Sequence, residues 1–158
     1  MYRHNPLWAI LALLLLAACS KQPAPAKGPA VTPSSAEQPA ASGVAKRTIR
    51  NGYGRALQTG DYVTVHTTGW LYDEAAPDHR GERFWSSLDN DQKLEFTLGE
   101  GRMIQGWDRG LPGSLIGEVV ELTIPPELGY GAKGRGPIPP DSTLVFEIEI
   151  FGAKGPDE

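Results

Sequence analysis

Apolar and polar residues alternate with period two along several stretches of the C-terminal two-thirds of the chain, the pattern of half-buried β-strands. Leu94, Phe96 and Leu98 face one way against Lys93, Glu95 and Thr97, and Val120, Leu122 and Ile124 oppose Val119, Glu121 and Thr123. From Leu144 to Ile150, Leu144, Phe146, Ile148 and Ile150 alternate with Val145, Glu147 and Glu149. An earlier strand carries Val63, Val65, Thr67 and Leu71 on its core face and Tyr62, Thr64, His66 and Trp70 on the other, which places His66 as a polar residue of the outer face. Only Met103 to Leu111 reads as helix, with Ile104, Trp107 and Leu111 on one side; Gly106 and Gly110 weaken it, and Pro112-Gly113 ends it. Strands with a short helix over their apolar face make an α+β plan.

The other end of the chain follows a different rule. Arg3 and His4 precede an unbroken apolar run from Leu7 to Ala18, which closes on Leu16-Ala17-Ala18-Cys19. The run is about twelve residues against the roughly twenty a membrane span needs, so residues 1–18 read as a cleaved signal peptide. Cys19 is the sole cysteine and cannot form an internal disulfide. Its place resembles a lipobox, in which the thiol is acylated and becomes the new N-terminus. Ser20 after it is similar to the outer-membrane pattern of Gram-negative lipoproteins, so the expected location is extracytoplasmic, on the periplasmic face of the outer membrane. Residues 19–45, with Pro23, Pro25, Pro29, Pro33 and Pro39 among Ala, Ser, Lys and Gln, read as the lipidated Cys and a tether. Extended at about 3.1 Å per residue, it reaches at most roughly 80 Å. Residues 46–153 are then the folded domain and 154–158 a tail.

Composition narrows the function classes. The formal net charge is −4, one unit more negative once the segment carrying Arg3 is gone, and the basic residues are scattered among carboxylates. That excludes a nucleic-acid partner of the usual basic-stripe kind. Beyond the leader the histidines are His66 and His79, in no metal-ligand spacing, so neither a metal nor another cofactor is expected. Gly129, Gly131 and Gly134 spell a dinucleotide-binding pattern, but such a turn must open a helix, and Gly136, Pro137, Pro139 and Pro140 follow instead.

Met103-Ile104-Gln105-Gly106-Trp107-Asp108-Arg109-Gly110, then Gly129-Tyr130-Gly131, then Ile138-Pro139-Pro140 with Thr143-Leu144-Val145-Phe146, resemble the FKBP-type peptidyl-prolyl cis-trans isomerases. His66-Thr67-Thr68-Gly69, Phe84-Trp85-Ser86-Ser87 and Phe96-Thr97-Leu98-Gly99 follow the family's other landmarks in order, so the resemblance covers essentially all of 46–153. It implies a curved antiparallel sheet wrapped around one short helix, with a proline-binding pocket between them. It places Trp107 at the pocket floor and Phe84, Leu94, Met103, Ile104, Ile138 and Phe146 as walls, with Tyr130, Trp107, Phe84 and Phe146 carrying catalysis. Tyr130 and the Ile104 N–H become donors to the bound peptide. Trp70 and Phe96 read as core aromatics.

Two positions depart from that pattern: a Tyr is expected where Thr67 stands and an Asp where Trp85 stands, a hydrogen-bonded pair in the family. Losing both together leaves no buried polar orphan. Thr67 and Trp85 are retained as substrate-binding positions, with Trp85 expected to fill the space of the missing ring and macrolide binding expected to be weak. The segment Tyr72 to Arg83 reads as a solvated connector. The resulting expectation is an isomerase of Xaa-Pro bonds in unfolded, proline-containing clients; the alternative is a non-catalytic holdase using the same pocket. A purely structural lipoprotein would need an oligomerising segment, and the tether shows no heptads for one, which also favours a monomer.

Overall fold

A computed structural model describes residues 38–39 and 43–157. The signal-peptide and lipidation readings, residues 1–18 and Cys19, lie outside the described residues, as does most of the tether. Among the described residues the strands are β1 (Gln38–Pro39), β2 (Ala45–Arg50), β3 (Tyr62–Tyr72), β4 (Arg80–Ser86), β5 (Leu94–Thr97), β6 (Val119–Ile124) and β7 (Leu144–Lys154), with one helix, α1 (Gln105–Gly110).

All pairings are antiparallel, in the order β1-β2-β6-β7-β3-β4. β3 and β7 form the centre. The free edge of β3 is shared, its first half pairing with β5 and its second half with β4. Register shifts between Thr64 and Val65 and again on either side of Trp70 interrupt its ladders, the kind of irregularity that bends a strand. The architecture is the expected α+β sheet with a short helix on its apolar face. Buried Val63, Val65, Leu122, Ile124, Leu144, Phe146, Ile148 and Ile150 meet Trp107 and Leu111 from the helical side.

The helix is shorter than the apolar spacing suggests. Ile104 is its N-cap with extended backbone (φ −64°, ψ 148°), so regular structure begins at Gln105. The domain is also longer than 46–153. Val44, assigned to the tether, is 1% exposed within the core, Gln38–Pro39 pairs with β2, and β7 continues to Lys154. A lone valine after Gly43 carries no period, which is why composition alone assigned it to the linker.

The outer face of the sheet is more than a solvated surface. Arg80 places its guanidinium 2.6 Å from Glu121 and 2.7 Å from Glu147, and Arg47 reaches the other oxygen of Glu121 at 2.8 Å. Trp70 lies beneath Arg80, its ring centroid 4.6 Å from Cζ. Each oxygen of Glu121 accepts two N–H groups from one arginine, Oε1 from Arg47 and Oε2 from Arg80, so Glu121 is buried on a face that alternation assigns to solvent. Two expectations change accordingly: Trp70 belongs to this outer layer rather than to the core, and the segment Tyr72 to Arg83, expected as a solvated connector, contains the start of β4, whose Arg80 ties β6 to β7.

His66 does project from the outer face, but it is 7% exposed. Its Nδ1 lies 2.8 Å from Ser87 Oγ and its ring meets Phe151 edge-on at 5.3 Å. Ser87 Oγ also accepts from the Thr67 N–H at 2.9 Å and contacts the Thr67 carbonyl at 3.2 Å. The histidine therefore helps pin the end of β4 to β3.

Candidate functional site

Four aromatic rings pack in a chain at the helix–sheet junction. Phe96 lies 5.6 Å from Trp107, Trp107 lies 5.3 Å from Phe146 nearly at right angles, and Phe146 lies 5.6 Å from Phe84, again edge to face. Such geometry sets the positive ring edge against the negative face and holds each ring in one orientation. Phe96 is buried outside the cavity, as the core reading expects. The other three rings line a cavity of about 710 Å³, together with Trp85, Leu94, Met103, Ile104, Tyr130 and Ile138 and the rim segments Gly101-Arg102 and Arg135-Gly136-Pro137.

Local chemistry fixes each wall. The end of β4 is held by Ser86 and Ser87: Ser86 Oγ lies 2.7 Å from Thr68 Oγ1 and accepts from the Leu88 N–H, while Ser87 grips the Thr67 main chain. That clamp sets the direction of Phe84 and Trp85. Gly69 of β3 leaves room for the rings, since a Cβ there would meet Phe84 Cζ at 2.5 Å and Phe146 Cε1 at 2.8 Å. Before α1, the Asp108 carboxylate accepts the Gly99 N–H at 2.8 Å and the Gly101 N–H at 3.1 Å, stapling the loop that presents Arg102, Met103 and Ile104. After β6, two short 3-10 turns, Pro126–Leu128 and Gly131–Lys133, flank Tyr130. Reciprocal main-chain bonds between Arg135 and Ile138, 2.9 and 3.0 Å long, turn Ile138 into the cavity wall.

The polar points are few. The Ile104 carbonyl accepts from the Trp107 N–H at 3.0 Å, while its own N–H donates to no described residue. The Tyr130 hydroxyl has no hydrogen-bond partner among the described residues. Trp107 is 2% exposed, and its Nε1 is the one buried side-chain polar atom among the described residues without a partner. An apolar cup with two available donors suits an apolar ring flanked by peptide carbonyls.

Every residue expected on the cavity is there except Thr67. Its hydroxyl turns to the sheet and donates to the Glu147 carbonyl at 2.8 Å, and its short side chain ends outside the lining, so the assignment of Thr67 to substrate binding is corrected. Trp85 does line the cavity but remains 42% exposed, so it extends the mouth rather than filling the interior space of an absent tyrosine ring. Sequence reasoning missed Asp108 as the loop staple and Gly101, Arg102, Arg135, Gly136 and Pro137 as rim. The rim residues lie in loops, where no periodicity marks a face, and Asp108 lies on α1 outside the apolar set of Ile104, Trp107 and Leu111.

Comparison with known proteins agrees with the geometry. Residues 54–151 match the family described as FKBP-type peptidyl-prolyl cis-trans isomerase. The chain is 47% identical over 113 residues to FK506-binding protein 2B of Rhizopus delemar, covering 71% of this chain and 51% of that protein. It is 47% identical over 104 residues to an FK506-binding protein of Neisseria meningitidis serogroup A, covering 65% of this chain and 89% of that one. Among solved structures, FkpA from Escherichia coli superposes with a TM-score of 0.64 at 35% identity, covering 74% of this chain and 51% of that chain. The chain thus spans about half the length of the Rhizopus and Escherichia coli proteins. With the family match, the shared sheet-and-helix architecture and the aromatic cavity at its junction, the chain belongs to the FKBP-type peptidyl-prolyl cis-trans isomerase family.

Proposed function

We propose that the chain is an active peptidyl-prolyl cis-trans isomerase that works on proline-containing clients outside the cytoplasm, held to a membrane by lipid on Cys19. The observation that carries the activity is the cavity, with its aromatic floor and walls and, as its polar points, the Ile104 N–H and the Tyr130 hydroxyl, which have no partner among the described residues.

Rotation about the peptide C–N bond is opposed by about 18–20 kcal/mol of amide resonance, and Xaa-Pro bonds are the ones that populate cis appreciably. In the twisted transition state resonance is lost, and the carbonyl and nitrogen are less charge-separated than in the planar amide. Water favours the planar state. A prolyl ring over Trp107, walled by Phe84 and Phe146, sits where that preference is removed, and donors placed for the twisted carbonyls bind the transition state more tightly than the ground state. No proton need move.

The anchor rests on Leu16-Ala17-Ala18-Cys19 and the periplasmic placement on Ser20. Incorporation of labelled palmitate that disappears in Cys19→Ser tests the lipid, and membrane fractionation tests the location. For activity, cis-to-trans relaxation of short Xaa-Pro peptides is measured with the full chain in detergent micelles. Acceleration that Tyr130→Phe weakens and Trp107→Ala abolishes is expected.

Trp85 favours a second reading. An aromatic side chain 42% exposed at the cavity mouth gives extra grip on an apolar segment, as a holdase would use. Peptide binding with no acceleration would select the holdase. Weak macrolide binding follows from the same residue, which stands where an orienting carboxylate is expected.

A further inference from the structure

The charged side chains on the cavity lining are Arg102 and Arg135, and both are cations. Among the described residues no Asp or Glu lines it. This sign is opposite to that of the chain as a whole, whose formal net charge is −4. The two arginines come from separate loops, one before α1 and the other after Tyr130, so the mouth is cationic from two directions.

The neighbouring carboxylates do not cancel them. Asp108 is committed to the Gly99 and Gly101 N–H groups. Glu100 reaches Arg102 Nε at 3.3 Å, but with side chains 53% and 72% exposed, a pair that solvent screens and an incoming carboxylate can displace. Arg135 has no acidic partner among the described residues; its guanidinium lies 5.7 Å from the centroid of the Tyr130 ring. Lys133, exposed in the same loop, adds charge of the same sign.

We propose that Arg102 and Arg135 make this site selective for segments carrying a carboxylate beside the proline, and that they disfavour segments carrying a lysine there. The inference rests on the peptide-binding reading of the cavity. Successive residues are at most about 3.3–3.6 Å apart along an extended chain, so a prolyl ring seated on Trp107 puts its two neighbours at the rim. The rim then reads the sign of their side chains. Charges at the edge of an interface act mainly through encounter and discrimination, and the effect is sensitive to salt.

The test uses the full chain in detergent micelles and short peptides with Glu, Gln, Leu or Lys on either side of proline. Values of kcat/KM are compared at about 0.01 M and 1 M salt, where the screening length falls from about 30 Å to about 3 Å. At low salt the Glu peptide is expected to exceed the Lys peptide by about five- to twentyfold at one or both positions, the sum of a few exposed-pair interactions. In 1 M salt the ratio should fall toward one. It should also fall in Arg102→Gln and Arg135→Gln, reach about one in the double variant, and invert in Arg135→Glu. Each ratio is taken within one variant, so a general loss of activity cancels.

A Glu-to-Lys ratio within twofold of one at both positions at low salt, or one unchanged in the double variant, overturns the proposal while leaving isomerase activity on the Leu peptide intact. If the Leu peptide is not accelerated, the isomerase reading is what fails. The same Glu and Lys comparison is then made on dissociation constants from tryptophan fluorescence, and the same two outcomes decide charge selection.

Discussion

Gly69 shows how one missing side chain shapes the site. The rings of Phe84 and Phe146 meet edge to face across it, and a methyl group would overlap both. Gly69→Ala is expected to destabilise the domain by about 1–3 kcal/mol through overpacking, and to raise KM as the walls shift; denaturant unfolding and peptide kinetics check it. Trp85 lines the cavity mouth, and Thr67 lies outside the lining. The paired change Trp85→Asp with Thr67→Tyr is expected to raise macrolide affinity, measured by calorimetry; unchanged affinity would count against an orienting role for that carboxylate. Residues of this kind divide sharply in how far sequence reveals them. Trp107 and Tyr130 stand in a recognisable motif, whereas Thr67 is expected at the substrate only because it occupies the position of the family's tyrosine, and a threonine side chain is much shorter. Its hydroxyl is satisfied by the β7 carbonyl of Glu147 instead.

Helix α1 has six residues, too few to be stable alone, so its position comes from tertiary contact. Gly106 makes close approach possible, since a Cβ there would lie 2.7 Å from Ile124 Cδ1 on β6. Gly106→Ala would gain about 1 kcal/mol of helix propensity in isolation. The overlap is expected to outweigh that gain, so the melting temperature falls rather than rises. Asp108 joins the helix to the loop before it through two main-chain N–H groups. Asp108→Ala is expected to cost roughly 1–2 kcal/mol and to raise KM more than it lowers kcat, because the loop carrying Arg102, Met103 and Ile104 loses its staple. The existence of both the helix and its flanking strands was legible from apolar spacing. The start at Gln105 and the staple were not, because each depends on a contact between residues several positions apart in a loop.

At the scale of the molecule, acid stability has an identifiable contributor. Asp61 is 3% exposed and accepts from Arg55 at 2.6 and 3.1 Å and from the Gln58 N–H at 2.8 Å. The hydrogen bond from Arg55, joined by that from Gln58 and the arginine charge, outweighs desolvation and holds the carboxyl below its usual range. The folded state therefore binds the proton less readily than the unfolded chain. The stabilisation is fully present above the unfolded value of about 3.9 and is lost as pH falls through the lower folded value. In Asp61→Asn, stability at pH 7 is expected to drop and its decline below about pH 4 to become shallower, measured by urea unfolding across pH.

The sequence alone determined the α+β class, the strands β3, β5, β6 and β7 and the existence of the helix, because period-two and period-3.6 patterns are properties of neighbouring residues, and the family resemblance implied the aromatic lining of the cavity. The tertiary structure decided what lies between distant segments. Arg80 closing over Glu121 and Glu147, Ser87 joining His66 to the end of β4, Val44 entering the core and the cationic rim from Arg102 and Arg135 all bring together residues with no shared period. Each is set by strand register and loop closure, which place side chains from different elements in the same few ångströms only once the sheet has formed.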